Sequence, residues 1–229
     1  MKYMICLLAL LLPGFSLLHA QDAAALIKKV KAKLDNVNDY EATGEMKTNV
    51  SFMKVPPAQV KVYFKKPGKI KIKNEKGISL VPKGTVSISL NNLLTGQYQA
   101  LDGGTETLNG QTVKVVRLLP LDENNDVVLS KLYIDEAKLL ILKAKTTTRE
   151  SGTNELDMSY VKFAGLALPD KIVFSFNTQD YKLPKGVTFD YDDGSKRKNE
   201  TTAASQRGKI EISYSSYIIN KGLADDIFK

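Results

Sequence analysis

Apolar and polar residues alternate with a period of two over most of this chain. From Tyr40 to Phe52, one set of alternate positions is mostly apolar or small, and the residues between them are charged or polar. That period is typical of a β-strand with one face in water. The pattern predicts about twelve strands in all. After the first, they are expected at 60–65, 70–72, 78–81, 86–90, 105–108, 111–119, 127–135, 139–149, 155–163, 171–177 and 209–217.

Hairpin-sized loops separate these strands, and no alternation of strands with helices calls for a parallel sheet. We therefore expect a mainly β (α+β) fold built on one antiparallel sheet. Asn109-Gly110 lies between two alternating runs and predicts a type I′ hairpin turn. Residues 91–97 are expected to form a short helix.

One amphipathic helix is expected ahead of the first strand, with Asp22 as its N-cap. Its lysines face water between apolar residues that recur at helical spacing. These apolar residues are Ala25, Leu26, Val30 and Leu34.

The first 20 residues are typical of a secretory signal peptide. Lys2 supplies the positive charge, Ile5 to Leu12 supply a short apolar run, and Leu18-His19-Ala20 is a small-residue cleavage site. We expect cleavage after Ala20 and export, and no lipid attachment, because Cys6 lies inside the apolar run. Residues 21–229 are expected to form one domain.

Cys6 and His19 are the only cysteine and histidine, so the exported chain would contain neither. Their loss excludes Ser-His-Asp and Cys-His nucleophiles as well as Cys/His zinc sites. An enzyme or calcium-dependent protein built on the acidic residues at 190, 192 and 193 stays an alternative. Asp190-Tyr191-Asp192-Asp193-Gly194 lacks the downstream glutamate of a calcium loop, which favours a surface turn. We expect no enzyme activity, no cofactor and no metal.

Charge adds a weaker constraint. Lysine and arginine total 33 against 25 acidic residues, a net charge of +8. This excess suits loose attraction to an anionic membrane or an acidic partner, and no motif accompanies it that would indicate nucleic-acid binding. The stretch from Thr178 to Gly208, which contains the basic triplet Lys196-Arg197-Lys198, is expected to be a long mobile insertion.

Several segments, taken in order, resemble the LolA-like family of outer-membrane lipoprotein carriers, and the likeness runs through nearly all of residues 21–229. The opening helix and the strand after it are similar to the family's start, and the final strand with its asparagine exit is similar to the family's end. The segments that carry the resemblance are Val37-Asn38-Asp39-Tyr40-Glu41-Ala42, residues 62–71 around Pro67-Gly68, Asn109-Gly110-Gln111 with 113–120, Leu132-Tyr133-Ile134-Asp135 with 140–144, and 210–217 with Ile219-Asn220-Lys221-Gly222.

The resemblance implies a strongly curved sheet of about 11–12 strands, an unclosed barrel whose concave face is covered by the N-terminal helix and short helices. It also implies an apolar cavity between helix and sheet. The strand alternation supplies candidate lining residues, although each would equally suit an ordinary core. They are Met46, Val50, Val60, Val62, Phe64, Ile70, Ile72, Ile172, Phe174, Phe176, Ile210, Ile212 and Tyr214.

The implied function is that of a periplasmic carrier or chaperone which binds acyl chains of lipoproteins or lipids and takes them toward the outer membrane. An inner-membrane release complex and an outer-membrane acceptor would be its partners, and we expect a monomer. The alternative is an envelope sensor or scaffold domain of the same fold that binds a partner protein.

Overall fold

Ala23, Leu26, Ile27, Val30 and Leu34 form the buried stripe of one α-helix, α1 (Ser16–Leu34). The computed structural model describes residues 16–50, 53–54, 56–74, 94–150, 152–177 and 207–229. The expected helix is present, but Asp22 lies inside it and is not its cap, and Ala25 faces solvent. The buried stripe is therefore offset from the expected one. Within the described ranges, no helix is both long enough and apolar enough to cross a membrane.

Eleven strands follow the helix in the described residues and form one antiparallel sheet. Along the sheet the order is β4-β3-β1-β11-β10-β9-β8-β7-β6-β5, with the short β2 paired to β1. The strands are β1 (Asp39–Val50), β2 (Met53–Lys54), β3 (Ala58–Lys65), β4 (Lys69–Asn74), β5 (Tyr98–Leu108), β6 (Gln111–Pro120), β7 (Val127–Asp135), β8 (Leu140–Thr148), β9 (Gly152–Ser159), β10 (Lys171–Asn177) and β11 (Arg207–Ile219).

The hairpin at Asn109-Gly110 is confirmed, because both residues have positive φ (51° and 80°) and join Leu108 to Gln111 as the type I′ turn requires. Two expected elements are wrong. In the expected strand 155–163, β9 ends at Ser159, because the Asp170 carboxylate accepts hydrogen bonds from the next backbone amides, Val161 and Lys162, and turns the chain.

In the expected helix 91–97, residues 94–97 instead form a turn in which Gly96 has a φ of 95°.

The insertion also ends earlier than expected, because Arg207 and Gly208 already pair with β10. Residues 78–81, 86–90, 91–93 and 178–206 lie outside the described residues, together with the acidic cluster at 190–193 and the basic triplet at 196–198.

The sheet is strongly curved. Lys33 Nζ, near the end of α1, donates to the Lys138 carbonyl in the β7–β8 turn (2.8 Å), and Asp35 pairs with Lys66 in the β3–β4 turn (3.2 Å). These turns are six strands apart in the sheet order, roughly 29 Å in a flat sheet at about 4.8 Å per strand. One helix end reaches both because the sheet bends around it. The edge strands β4 and β5 do not pair with each other among the described residues, so the barrel is not closed.

A set of hydrogen bonds ties the segment that follows β11 to the segment that joins α1 to β1. The Asn220 side chain accepts from the Asn38 backbone amide (2.7 Å) and donates to the Asn36 carbonyl (2.9 Å). The buried Asp39 carboxylate accepts from the amides of Lys221 and Gly222. The short 3-10 turn Asp225–Phe228 then lies beside β4, where Asp225 pairs with Lys65 and Lys69.

Candidate functional site

We call the sheet face that packs against α1 the inner face, and all thirteen predicted lining residues lie on it. The strand register shows this directly, because Met46, Ile212 and Ile172 are aligned across β1, β11 and β10. Nine of the thirteen belong to one buried cluster with the helix: Met46, Val50, Val60, Val62, Phe174, Phe176, Ile210, Ile212 and Tyr214.

The other four pack around that cluster. Ile70, Ile72 and Ile172 are partly buried against it. Phe64 is 1% exposed and stacks on Tyr40, with ring centroids 5.2 Å apart.

The sequence reasoning missed the half of the inner face formed by β6 to β9. These strands carry the same apolar alternation, so the signal was present. The buried residues that belong to the inner face there are Val116, Leu118, Leu132, Ile134, Ala144, Leu156 and Met158. With them, the apolar surface extends across nearly the whole width of the curved sheet.

Tyrosines form a second feature, near the start of β1 and the end of β11. The Tyr217 ring lies 5.3 Å from that of Tyr40 and 5.2 Å from that of Tyr214. Phe163 packs edge-on against Tyr217 at 4.8 Å, and the Tyr217 hydroxyl donates to the Pro169 carbonyl (2.8 Å). Burial raises the pKa of the Tyr40, Tyr214 and Tyr217 hydroxyls. The rings therefore stay neutral and act as part of the apolar wall.

Few polar side chains interrupt the inner face. Ser130, Thr146 and Asn154 are buried at 2%, 1% and 6% exposure on the adjacent strands β7, β8 and β9. The Thr48 hydroxyl on β1 is buried and has no hydrogen-bond partner in the described structure. Sequence reasoning singled out none of these four residues.

A pocket of about 330 Å³ opens at the C-terminal end of α1, within the roughly 300–1,000 Å³ range of small-ligand sites. Its lining combines apolar and charged side chains: Lys31, Leu34, Asp35, Lys66, Pro67, Leu94 and Thr95. Burial acts to raise the pKa of Asp35, but the Lys66 hydrogen bond and the Lys31 and Lys66 charges outweigh it and lower that pKa. The carboxylate therefore stays ionised and holds the two lysines at the pocket mouth.

Charged residues are frequent on the outer face of β8 and β9, the face turned away from α1. Glu155 on β9 lies 2.7 Å from Lys143 and 3.3 Å from Lys145, and Lys143 also pairs with Asp157 at 3.0 Å. No group of three or more acidic, histidine or cysteine side chains is positioned to hold a metal ion in the ranges that the structure describes. The arrangement is that of a charged shell around an apolar interior.

Comparison with solved structures identifies the architecture. The chain is similar to an outer membrane lipoprotein-sorting protein domain from Vibrio parahaemolyticus (TM-score 0.59, 14% identity, covering 91% of this chain and 97% of that one). It is also similar to a LolA superfamily protein from Nitrosomonas europaea (0.56, 12%, 90% and 97%) and a DUF1329 family protein from Desulfovibrio piger (0.58, 13%, 92% and 97%).

The sequence itself matches no protein-family model and no curated protein. At these identities the likeness shows the fold alone. The chain has a LolA-like fold, as the sequence resemblance implied.

Proposed function

We propose that this protein is a carrier that binds the acyl chains of lipoproteins or lipids against its inner face and takes them toward the outer membrane without covalent chemistry. The observation that carries the proposal is the apolar surface of the curved sheet, wrapped around one helix whose buried stripe belongs to the same cluster. A lipoprotein-sorting domain among the proteins of similar fold supports it.

The energetics of such a carrier favour a helix α1 that can move away from the sheet. Burying an acyl chain contributes about 0.8 kcal/mol per methylene, so roughly 15 methylenes give on the order of 12 kcal/mol. A bilayer offers nearly the same, which means that the carrier must match the membrane and still release its cargo. Separating α1 from the sheet would expose apolar surface on both, and an acyl chain would replace that contact.

The polar contacts at the end of α1 suit this role. The contacts from Lys33 to Lys138 and from Asp35 to Lys66 are exposed at the helix end. An exposed ion pair contributes about 0–1 kcal/mol and a hydrogen bond about 0.5–1.5 kcal/mol, so these contacts position α1 without fixing it.

The same proposal extends to location and partners. The protein would act in the periplasm after cleavage behind Ala20, as a monomeric single domain of residues 21–229. It would receive cargo from an inner-membrane release complex and deliver it to an outer-membrane acceptor.

A sensor or scaffold domain is the second candidate. The observation in its favour is an apolar loop after β9, where Val161 is 78% and Leu166 39% exposed. Exposed apolar side chains of this kind suit contact with a partner protein. A scaffold of this type would bind its partner without moving lipid.

Transfer of a fluorescent diacylated peptide from donor to acceptor vesicles separates the two functions. A carrier accelerates transfer in proportion to its concentration, whereas a scaffold leaves the spontaneous rate unchanged. Leu132→Trp on the inner face should slow transfer, because the larger ring occupies space that the acyl chain needs.

Val128→Trp, at an exposed position of the same strand, is the matched control and should transfer at the wild-type rate. Circular dichroism checks that both variants fold, and Ala144→Leu is the smaller inner-face substitution if Leu132→Trp does not. Unchanged transfer by a folded inner-face variant would count against the proposal.

A further inference from the structure

Three polar side chains lie side by side on the mostly apolar inner face. Ser130 is aligned with Thr146, and Thr146 with Asn154, across β7, β8 and β9. We call these three residues the polar strip. The neighbouring row on the same face is apolar and consists of Leu132, Ala144 and Leu156.

The hydrogen bonds of the polar strip are incomplete. Ser130 Oγ and Thr146 Oγ1 lie 3.3 Å apart and share one hydrogen bond, in which one hydroxyl donates and the other keeps a free proton. The Asn154 amide forms no hydrogen bond with any residue in the described ranges, although its side chain is only 6% exposed. Its amide therefore has two N–H donors without a partner.

A hydroxyl or amide donor beside an apolar ligand contributes a hydrogen bond when the ligand carries an acceptor. The Thr48 hydroxyl, on the same inner face, is fully buried and has no hydrogen-bond partner in the described structure. An acceptor that enters with an apolar ligand would complete the hydrogen bonds of the strip, and this observation points to a ligand instead of a self-sufficient core.

Charge decides which acceptor fits. The polar strip contains no cation, and Lys131, Lys143 and Lys145 alternate with it in the same strands and pair with acidic residues of the outer face. A carboxylate or a phosphate would be buried without a counter-ion, which is costly. A neutral carbonyl needs only the N–H and O–H donors that the strip offers.

We infer that the polar strip of Ser130, Thr146 and Asn154 binds the ester carbonyl that joins an acyl chain to its glyceryl group. The chain itself would lie along the neighbouring apolar row. This inference rests on the proposed function and refines it, because it makes the ligand an ester-linked lipid instead of a free fatty acid. Both a diacylglyceryl peptide and a diacyl phospholipid carry such esters.

The test compares ester-linked and ether-linked ligands with identical chains, since an ether lacks the carbonyl and keeps the hydrocarbon. Two pairs are used: diacyl and dialkyl forms of a glyceryl-cysteine peptide, and of phosphatidylglycerol. Each is measured by displacement of a fluorescent fatty acyl probe from the full chain. We expect the ester to bind roughly three- to tenfold more tightly, the range for one net hydrogen bond. The pair with the larger ratio identifies the source of the ester.

Variants locate the effect on the polar strip. Asn154→Leu and Thr146→Val keep the approximate side-chain shape, remove the donors and should bring the ester-to-ether ratio to about one, leaving ether binding unchanged. Thr147→Val is the matched control. It removes a hydroxyl that bonds to Thr153 on the exposed side of the same two strands (2.8 Å) and should keep the wild-type ratio.

Thermal melting checks each fold, and Thr146→Val alone serves if Asn154→Leu does not fold. Equal ester and ether binding by the wild type, or a ratio that survives in a folded strip variant, overturns the inference and leaves the proposed function standing. Failure of both members of both pairs to displace the probe contradicts the proposed function itself.

Discussion

Gly44, in the middle of β1, marks a close approach of two strands that any side chain would disrupt. A Cβ built at this position meets the Ser213 carbonyl oxygen at 2.6 Å and the Tyr214 Cα at 3.2 Å. Both are backbone atoms of β11, so they cannot rotate away. The register of β1 against β11 also shifts between Thr43 and Gly44, which is the mark of a bulge that bends the strand.

Gly44→Ala should therefore push β1 and β11 apart. Relieving the contact to the Ser213 oxygen takes a movement of about 0.8 Å to reach an ordinary van der Waals distance of 3.4 Å. Overpacking of this kind costs about 1–3 kcal/mol. For a domain of this size, each kcal/mol lowers the melting temperature by roughly 2–4 °C, so we expect a fall of about 2–12 °C.

Differential scanning calorimetry measures the effect, with Gly165→Ala as the matched control because a Cβ there meets nothing within 4 Å. The control should melt close to the wild type. A Gly44→Ala protein that also melts within about 1 °C of the wild type would refute the reasoning, since β1 and β11 would then not be held at the distance described.

Three further substitutions test other parts of the account. Ile27→Ala removes a side chain of α1 that is 1% exposed and should lower the free energy of unfolding by about 2–5 kcal/mol, measured by urea denaturation. Thr48→Val replaces a buried hydroxyl that lacks a partner and should raise that free energy by about 1 kcal/mol, whereas a loss would reveal a hydrogen bond there. Glu155→Gln should destabilise the protein at pH 7. Burial acts to raise the pKa of Glu155, but the hydrogen bonds and charges of Lys143 and Lys145 lower it below 4.5, so the stabilisation is present above that pH and is lost as the pH falls through the lower folded value. The difference between wild type and Glu155→Gln should therefore disappear in acid, as a urea series across pH would show.

Local pattern predicted much of this fold. Period-two alternation placed the strands and put Met46, Ile212 and the other predicted lining residues on one face, because side chains of a strand alternate between faces whatever its neighbours are. The hairpin at Asn109-Gly110 was equally readable, since few residues other than these adopt positive φ in succession.

Long-range contacts account for what the sequence did not reveal. The end of β9 depends on Asp170, eleven residues beyond Ser159. No local sequence pattern indicates that this carboxylate accepts hydrogen bonds from the amides after β9. The face of Ser130 was also ambiguous, because Leu129 and Tyr133 make both faces of β7 look apolar. Tyr133 is buried with Val113 and Val115 in a small separate cluster on the outer face. Ser130 is three positions earlier in the strand and therefore lies on the opposite, inner face.

The most direct test of the central claim, that the inner face holds acyl chains, is native mass spectrometry of the protein purified from its own host without detergent. We predict a species heavier than the polypeptide by the mass of one acyl-bearing molecule, which collisional activation releases as a lipid or lipopeptide ion. Leu132→Trp should reduce this species and Val128→Trp should retain it. Observation of the polypeptide mass alone, both as purified and after incubation with the diacylated peptide, would contradict the claim.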